Sequence, residues 1–146
     1  MPQTKYFLPS DLKMRCLSYV RGYSRMSKIY LDEREEILKS SPAPSDGQPK
    51  GNTNGDECLT KTILLQKLEE KHDTKIIKAI DNAKLNIGIN ILSEKERERL
   101  IEAVVDSCIE GRNFIFEYRN LYISKSAFYN ERQCFLYYIA KKLNFI

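Results

Sequence analysis

The sequence has no tryptophan, a single histidine and no uninterrupted apolar stretch longer than a few residues. A membrane-spanning helix needs about twenty consecutive apolar residues, so none is expected here. The opening Met1-Pro2-Gln3-Thr4-Lys5-Tyr6-Phe7-Leu8-Pro9 also lacks the apolar centre of a secretory signal. A cytoplasmic protein with no membrane partner is the expectation. The four cysteines, Cys16, Cys58, Cys108 and Cys134, are too widely separated for a CxxC pair or a finger spacing. They are read as reduced, mostly packed thiols. His72, the only imidazole, has no accompanying nucleophile motif and is read as a residue of a helix seam. With no paired acids in a plausible pocket and no metal spacing, the chain is expected to be neither an enzyme nor a cofactor protein, and to take no small-molecule substrate.

What the chain does have is charge, and its distribution is uneven. Over 146 residues the net charge is +4, with 42% hydrophobic and 30% charged residues, an ordinary balance for a folded protein. Residues 1–39 hold eight Lys/Arg against five Asp/Glu, residues 40–111 ten against thirteen, and residues 112–146 six against two. The basic excess of the last segment marks where a polyanion would bind.

Helical periodicity dominates. Leu12, Cys16, Tyr19, Tyr23, Met26, Tyr30, Glu33 and Ile37 alternate spacings of four and three, which predicts one long helix with a semi-polar seam, capped by Ser10. Residues 40–56, rich in Pro, Gly, Ser and Asn, read as a mobile linker. Periodicity resumes through Leu65, Leu68, His72, Ile76, Ile80, Ala83 and Ile87, predicting a second helix antiparallel to the first. Leu85 to Ile91 alternates with period two but has no strand to pair with, so a frayed helix end leading into an extended connection is expected. Ser93 with Glu96 forms a capping box for a third helix that Gly111 ends. A short aromatic helix from Arg112 to about Arg119 and a longer one from Lys125 to about Leu143, capped by Ser124, complete the chain. The expected fold is all-α: a helical hairpin over residues 1–92 serving oligomerisation, then a helix-turn-helix domain over 93–146.

In the last helix, Phe128, Phe135, Ile139 and Leu143, joined by Leu136, supply a buried stripe. Lys125, Ser126, Tyr129, Asn130 and Gln133 are left on the exposed N-terminal side. Asn and Gln pair bidentately with adenine, Lys donates to guanine or phosphate, and a tyrosine ring meets a thymine methyl. Arg132 is taken with this set, and Arg112, Arg119, Lys141 and Lys142 are candidate phosphate contacts.

The stretch Tyr122-Ile123-Ser124-Lys125-Ser126-Ala127-Phe128-Tyr129 resembles the entry to the recognition helix in phage late-gene transcription regulators of the RinA/ArpU type, whose helix-turn-helix is similar to region four of sigma factors. The ending from Phe135 to Leu143 and the linker words Ser40-Ser41-Pro42-Ala43-Pro44 and Gly47-Gln48-Pro49-Lys50-Gly51 also recur in small phage proteins of that kind. The resemblance implies a sequence-specific regulator of double-stranded DNA in a bacterial host, with base contacts from Lys125, Ser126, Tyr129 and Asn130. The usual turn glycine is Tyr122 here, and Asn120 is the nearby residue suited to a left-handed conformation. A homodimer is expected, since pairing doubles the base contacts; whether host RNA polymerase is touched stays open. A small terminase-like packaging component and a helical adaptor that binds no DNA are the alternatives.

Overall fold

The computed structural model describes residues 6–39 and 53–146, and the side chains among them except at 53–58, 118 and 119. The described residues are helical, with no strand: α1 (Ser10–Arg21), α2 (Tyr23–Lys39), α3 (Thr53–Glu70), α4 (His72–Lys84), α5 (Glu94–Glu110), two single 3₁₀ turns (Gly111–Asn113 and Phe116–Arg119) and α6 (Lys125–Lys142). The expected linker lies outside the described residues except for 53–56, which form the first turn of α3.

Both helices read as continuous are interrupted. The first breaks at Gly22, whose N–H still bonds the Ser18 carbonyl at 3.0 Å, and glycine is the poorest helix former after proline. Ser10 is the first helical residue rather than its cap, and the Pro9 carbonyl accepts from the Lys13 N–H at 2.9 Å. The second breaks at Lys71, where Thr74 donates its hydroxyl to the Leu68 carbonyl at 2.6 Å, a side-chain competitor for the helical ladder. His72 thereby opens α4 and is exposed, not packed in a seam.

Contacts divide the chain into two units, Ser24–Lys75 and Met1–Tyr23 with Ile76–Ile146. Within the first of these, Tyr30 donates to the Glu69 carboxylate, and Lys61 reaches the Leu38 carbonyl at 3.4 Å. Pairing of early with late residues makes α2 and α3 an antiparallel pair, joined further by Lys71 to Glu33 at 2.7 Å. Met26 and Leu68 are buried there.

The other unit holds the larger core. In it α1 packs on α5 and α6, and α5 on α6. Cys16 and Val20 of α1, Ile76 and Ile80 of α4, Leu100, Val104 and Cys108 of α5, and Phe128, Phe135, Leu136 and Ile139 of α6 are all under 2% exposed. Because α1 lies against α5 and α6, the boundary expected between residues 92 and 93 falls inside this unit. Leu85 to Asn90 form neither strand nor extended chain but a series of turns, with Gly88 at φ +64°, and Ile91 begins the irregular connection to α5. Arg97 holds the turns through the Ile87 carbonyl at 3.0 Å, and the Gly88 N–H donates to Glu131 of α6 at 3.2 Å.

α5 follows its sequence signals closely. The Ser93 hydroxyl accepts from the Glu96 N–H at 3.5 Å, Glu94 and Glu96 complement the positive end, and Gly111 at φ +60° closes the helix. Cys16, Cys108 and Cys134 are free thiols, the first two buried; the side chain of Cys58 lies outside the described residues. Burial pushes the Cys16 thiol up to about 11 and raises that of Cys108 as well.

Candidate nucleic-acid interface

The segment leading to α6 differs from expectation. Residues 112–119 do not form an α-helix: Phe114 and Ile115 are extended and separate the two 3₁₀ turns. The stretch is too short to repay helix nucleation, and its aromatic rings are fixed by packing instead. Phe114 stacks on Phe128 with centroids 5.4 Å apart, and Phe116 meets the same ring edge-on at 5.2 Å. Asn120 adopts the left-handed conformation (φ 50°, ψ 45°), which turns the chain toward Ser124. The full α-helix before α6 is therefore α5, and the connection is longer than the three or four residues usual in a helix-turn-helix.

α6 begins with a cap: the Ser124 hydroxyl accepts from the Ala127 N–H at 3.1 Å. Its first turn contains no acid, as in α2, whereas α1 has Asp11, α4 has Asp73 and α5 has Glu94 and Glu96. Lys125 stands at the first helical position instead. A cation at the positive end of the macrodipole forgoes about 0.3–1 kcal/mol that an acid would contribute. The combination concentrates positive potential at this end.

Lys125, Ser126, Tyr129 and Asn130 are all exposed. At 100° per residue they share one side of the helix, spread over about 140° of its circumference. The side chains of Lys125, Ser126 and Asn130 make no hydrogen bond or ion pair among the described residues, while the Tyr129 ring rests edge-on against Phe128 at 5.2 Å. A cation, a hydroxyl, a carboxamide and an aromatic ring propped on the buried Phe128 thus share one side of the helix.

The other expected site residues are placed elsewhere. Gln133 continues the same side of the helix, but it is half-buried and donates its amide to the Tyr6 carbonyl at 2.9 Å. The ring of Tyr6 packs on Tyr137 at 5.4 Å and on Tyr138 at 5.9 Å, so the N-terminal segment covers this side beyond Asn130. Arg132 is half-buried beside the Cys108 thiol, on which its charge acts against burial; its Cζ lies 5.9 Å from the centre of the Tyr129 ring, and its buried Nε has no hydrogen-bond partner among the described residues. Arg112 is exposed in the turn after α5. The side chain of Arg119 lies outside the described residues. Lys141 and Lys142 are exposed at the far end of α6, roughly 25 Å from Lys125 at 1.5 Å per residue.

Sequence reasoning passed over Tyr6 and noted Tyr122 only as the residue in place of the usual turn glycine. The run Tyr6-Phe7-Leu8-Pro9 just before α1 is an apolar lead-in of the kind that packs near a helix start, which was the available signal. Tyr122 is 78% exposed two residues ahead of the Ser124 cap. It borders a groove of about 390 Å³ lined by Ile91, Leu100, Leu121 and Ile123, beside the fully exposed Leu92.

Among the described residues no three His, Cys, Asp or Glu side chains come together as a metal-binding group, and no helix is long and apolar enough to cross a membrane. Comparison of the chain with protein-family models, with curated protein sequences and with solved structures found no match.

Proposed function

We propose that the chain is a sequence-specific, double-stranded DNA-binding transcription regulator that places the N-terminal turns of α6 in the major groove. One observation carries this reading: Lys125, Ser126, Tyr129 and Asn130 stand exposed together at a helix start that has a lysine where an acid would stabilise it. That is an arrangement suited to an anionic partner. A helix about 10–12 Å across fits a major groove about 12 Å wide. Asn130 would read adenine, Tyr129 a thymine methyl, and Lys125 a guanine edge or a phosphate. The free N–H groups of the first turn add donors to phosphate.

Arg112 is retained as a phosphate contact, whereas Gln133 and Arg132 are engaged within the fold and leave the reading set. The likeness of residues 122–129 to phage late-gene regulators supports transcription as the setting, in a bacterial cytoplasm and as a homodimer. A gel-shift series with fragments of the surrounding genome tests the proposal. One or a few fragments should be retained selectively, and the selectivity should be lost in Asn130→Ala and Tyr129→Ala. Binding of every fragment alike, unchanged by these substitutions, would show that another face does the reading.

The apolar groove beside Leu92 and Tyr122 favours a second reading, in which the chain docks a protein partner as a helical adaptor. Absence of any DNA retention at low salt would favour it.

A further inference from the structure

The two lysines left unused by the reading face border a concavity of their own. α6 ends in a Schellman turn: the Phe145 N–H bonds the Ala140 carbonyl at 2.9 Å, the Asn144 N–H bonds that of Lys141 at 3.1 Å, and Asn144 takes φ +62°. Arg15 lies 5.0 Å above the Phe145 ring and pins the chain end. The carbonyls that C-terminal lysines commonly satisfy thus already have backbone partners, and Lys141 and Lys142 form no ion pair among the described residues. Other lysines of the chain do: Lys39 with Glu35, Lys71 with Glu33, and Lys84 with Asp81.

Beside this turn stand Asn82 of α4 and Asn86 of the turn that follows it, whose amide donates to the Asn82 carbonyl at 3.3 Å, and the two helix ends border an open concavity of about 530 Å³. Its polar lining is three carboxamides (Asn82, Asn86, Asn144), the Tyr138 phenol and the two ammonium groups, with no carboxylate among the described residues that line it. Both helices direct their negative ends here, each equivalent to about half an elementary charge. Two full positive charges outweigh them, and the amides supply neutral donors.

We propose that this concavity binds a phosphate ester of a nucleotide or of a nucleic-acid strand, the lysines taking the phosphate and the asparagines the edge of a base. The size suits a nucleotide unit. The proposal stands apart from the reading face, since Lys141 and Lys142 lie at the opposite end of α6.

The test is an NMR titration of the ¹⁵N-labelled full chain that follows side-chain amides. The probes are inorganic phosphate, adenosine 5′-monophosphate and a duplex oligonucleotide. Saturable shifts of the Asn82 and Asn144 amides are expected with the mononucleotide or the duplex. A Lys141→Gln/Lys142→Gln double variant should weaken them at least tenfold without altering the circular dichroism spectrum or the response of Asn130. Shifts with phosphate and mononucleotide would identify a free phosphorylated ligand, and shifts with the duplex alone the DNA backbone. No saturable shift at Asn82 and Asn144 with any probe, or the same shift in the double variant, would overturn the proposal. With a duplex selected by gel shift, a response at Asn130 alone would sink this site and leave the reading face standing, and a response at Asn82 and Asn144 alone would do the reverse.

Discussion

Gln133 of α6 and Tyr6 of the N-terminal segment are tied together, 127 residues apart in sequence, by a hydrogen bond from the glutamine amide to the tyrosine carbonyl at 2.9 Å. The bond marks where the open side of α6 ends. Gln133→Ala should accordingly leave DNA selectivity unchanged and lower stability by about 1 kcal/mol, the net worth of one hydrogen bond. Denaturant unfolding and fluorescence anisotropy with a selected duplex check the two halves. Asn130→Ala should behave in the opposite way, with stability within about 0.5 kcal/mol of wild type and discrimination reduced by about 1–3 kcal/mol.

Lys125 separates function from folding in a second manner. Lys125→Glu places an acid at the start of α6, where it complements the macrodipole, and should raise thermal stability by about 0.3–1 kcal/mol. The same change should abolish DNA binding at physiological salt, through repulsion from the phosphates. A variant that melts lower than wild type would contradict the electrostatic account of this helix start.

The thiols give a prediction about the core. Cys16 and Cys108 are buried with raised proton affinity, so they are protonated and unreactive near neutral pH. Among the three described thiols, half-buried Cys134 should react first with a disulfide reagent under native conditions, and Cys16 and Cys108 only as fast as the fold opens. Because the folded-state value of Cys16 is raised from 9.0 to about 11, its contribution to stability is fully present below about pH 9 and is lost as pH rises toward 11. Cys16→Ala should flatten that part of the stability profile.

Packing at the base of the reading face is a fourth point. Phe128 is fully buried and touches the rings of Phe114, Phe116 and Tyr129. Phe128→Ala should cost about 3–5 kcal/mol, while Phe128→Leu should cost less and keep DNA binding. Loss of binding in a folded Phe128→Leu would mean that the angle of Tyr129, and not its presence alone, is read.

Much of this organisation was legible from residues alone. The Ser93 and Ser124 caps, the Gly111 stop, the left-handed Asn120 and the buried Phe128, Phe135, Leu136 and Ile139 all follow from local chemistry, where one residue type satisfies one backbone or packing demand. The breaks at Gly22 and Lys71 were passed over because an apolar repeat continues through both, although the glycine and the Thr74 hydroxyl were the local signals. Residues 112–119 misled because their aromatic spacing suits a helix, while the stacking of Phe114 on Phe128 fixes an extended chain. The diversion of Gln133 depended on a partner at the other end of the sequence, which no local pattern encodes.

Salt-dependent anisotropy of one selected and one unrelated duplex, with wild type and Asn130→Ala compared, tests the central claim most directly. Wild type should bind the selected duplex at least tenfold more tightly, and Asn130→Ala should bind both alike with the same salt dependence, keeping its phosphate contacts while losing a base contact. Equal affinity of the wild-type chain for both duplexes, or selectivity that survives in Asn130→Ala, would contradict the assignment of α6 as the reader.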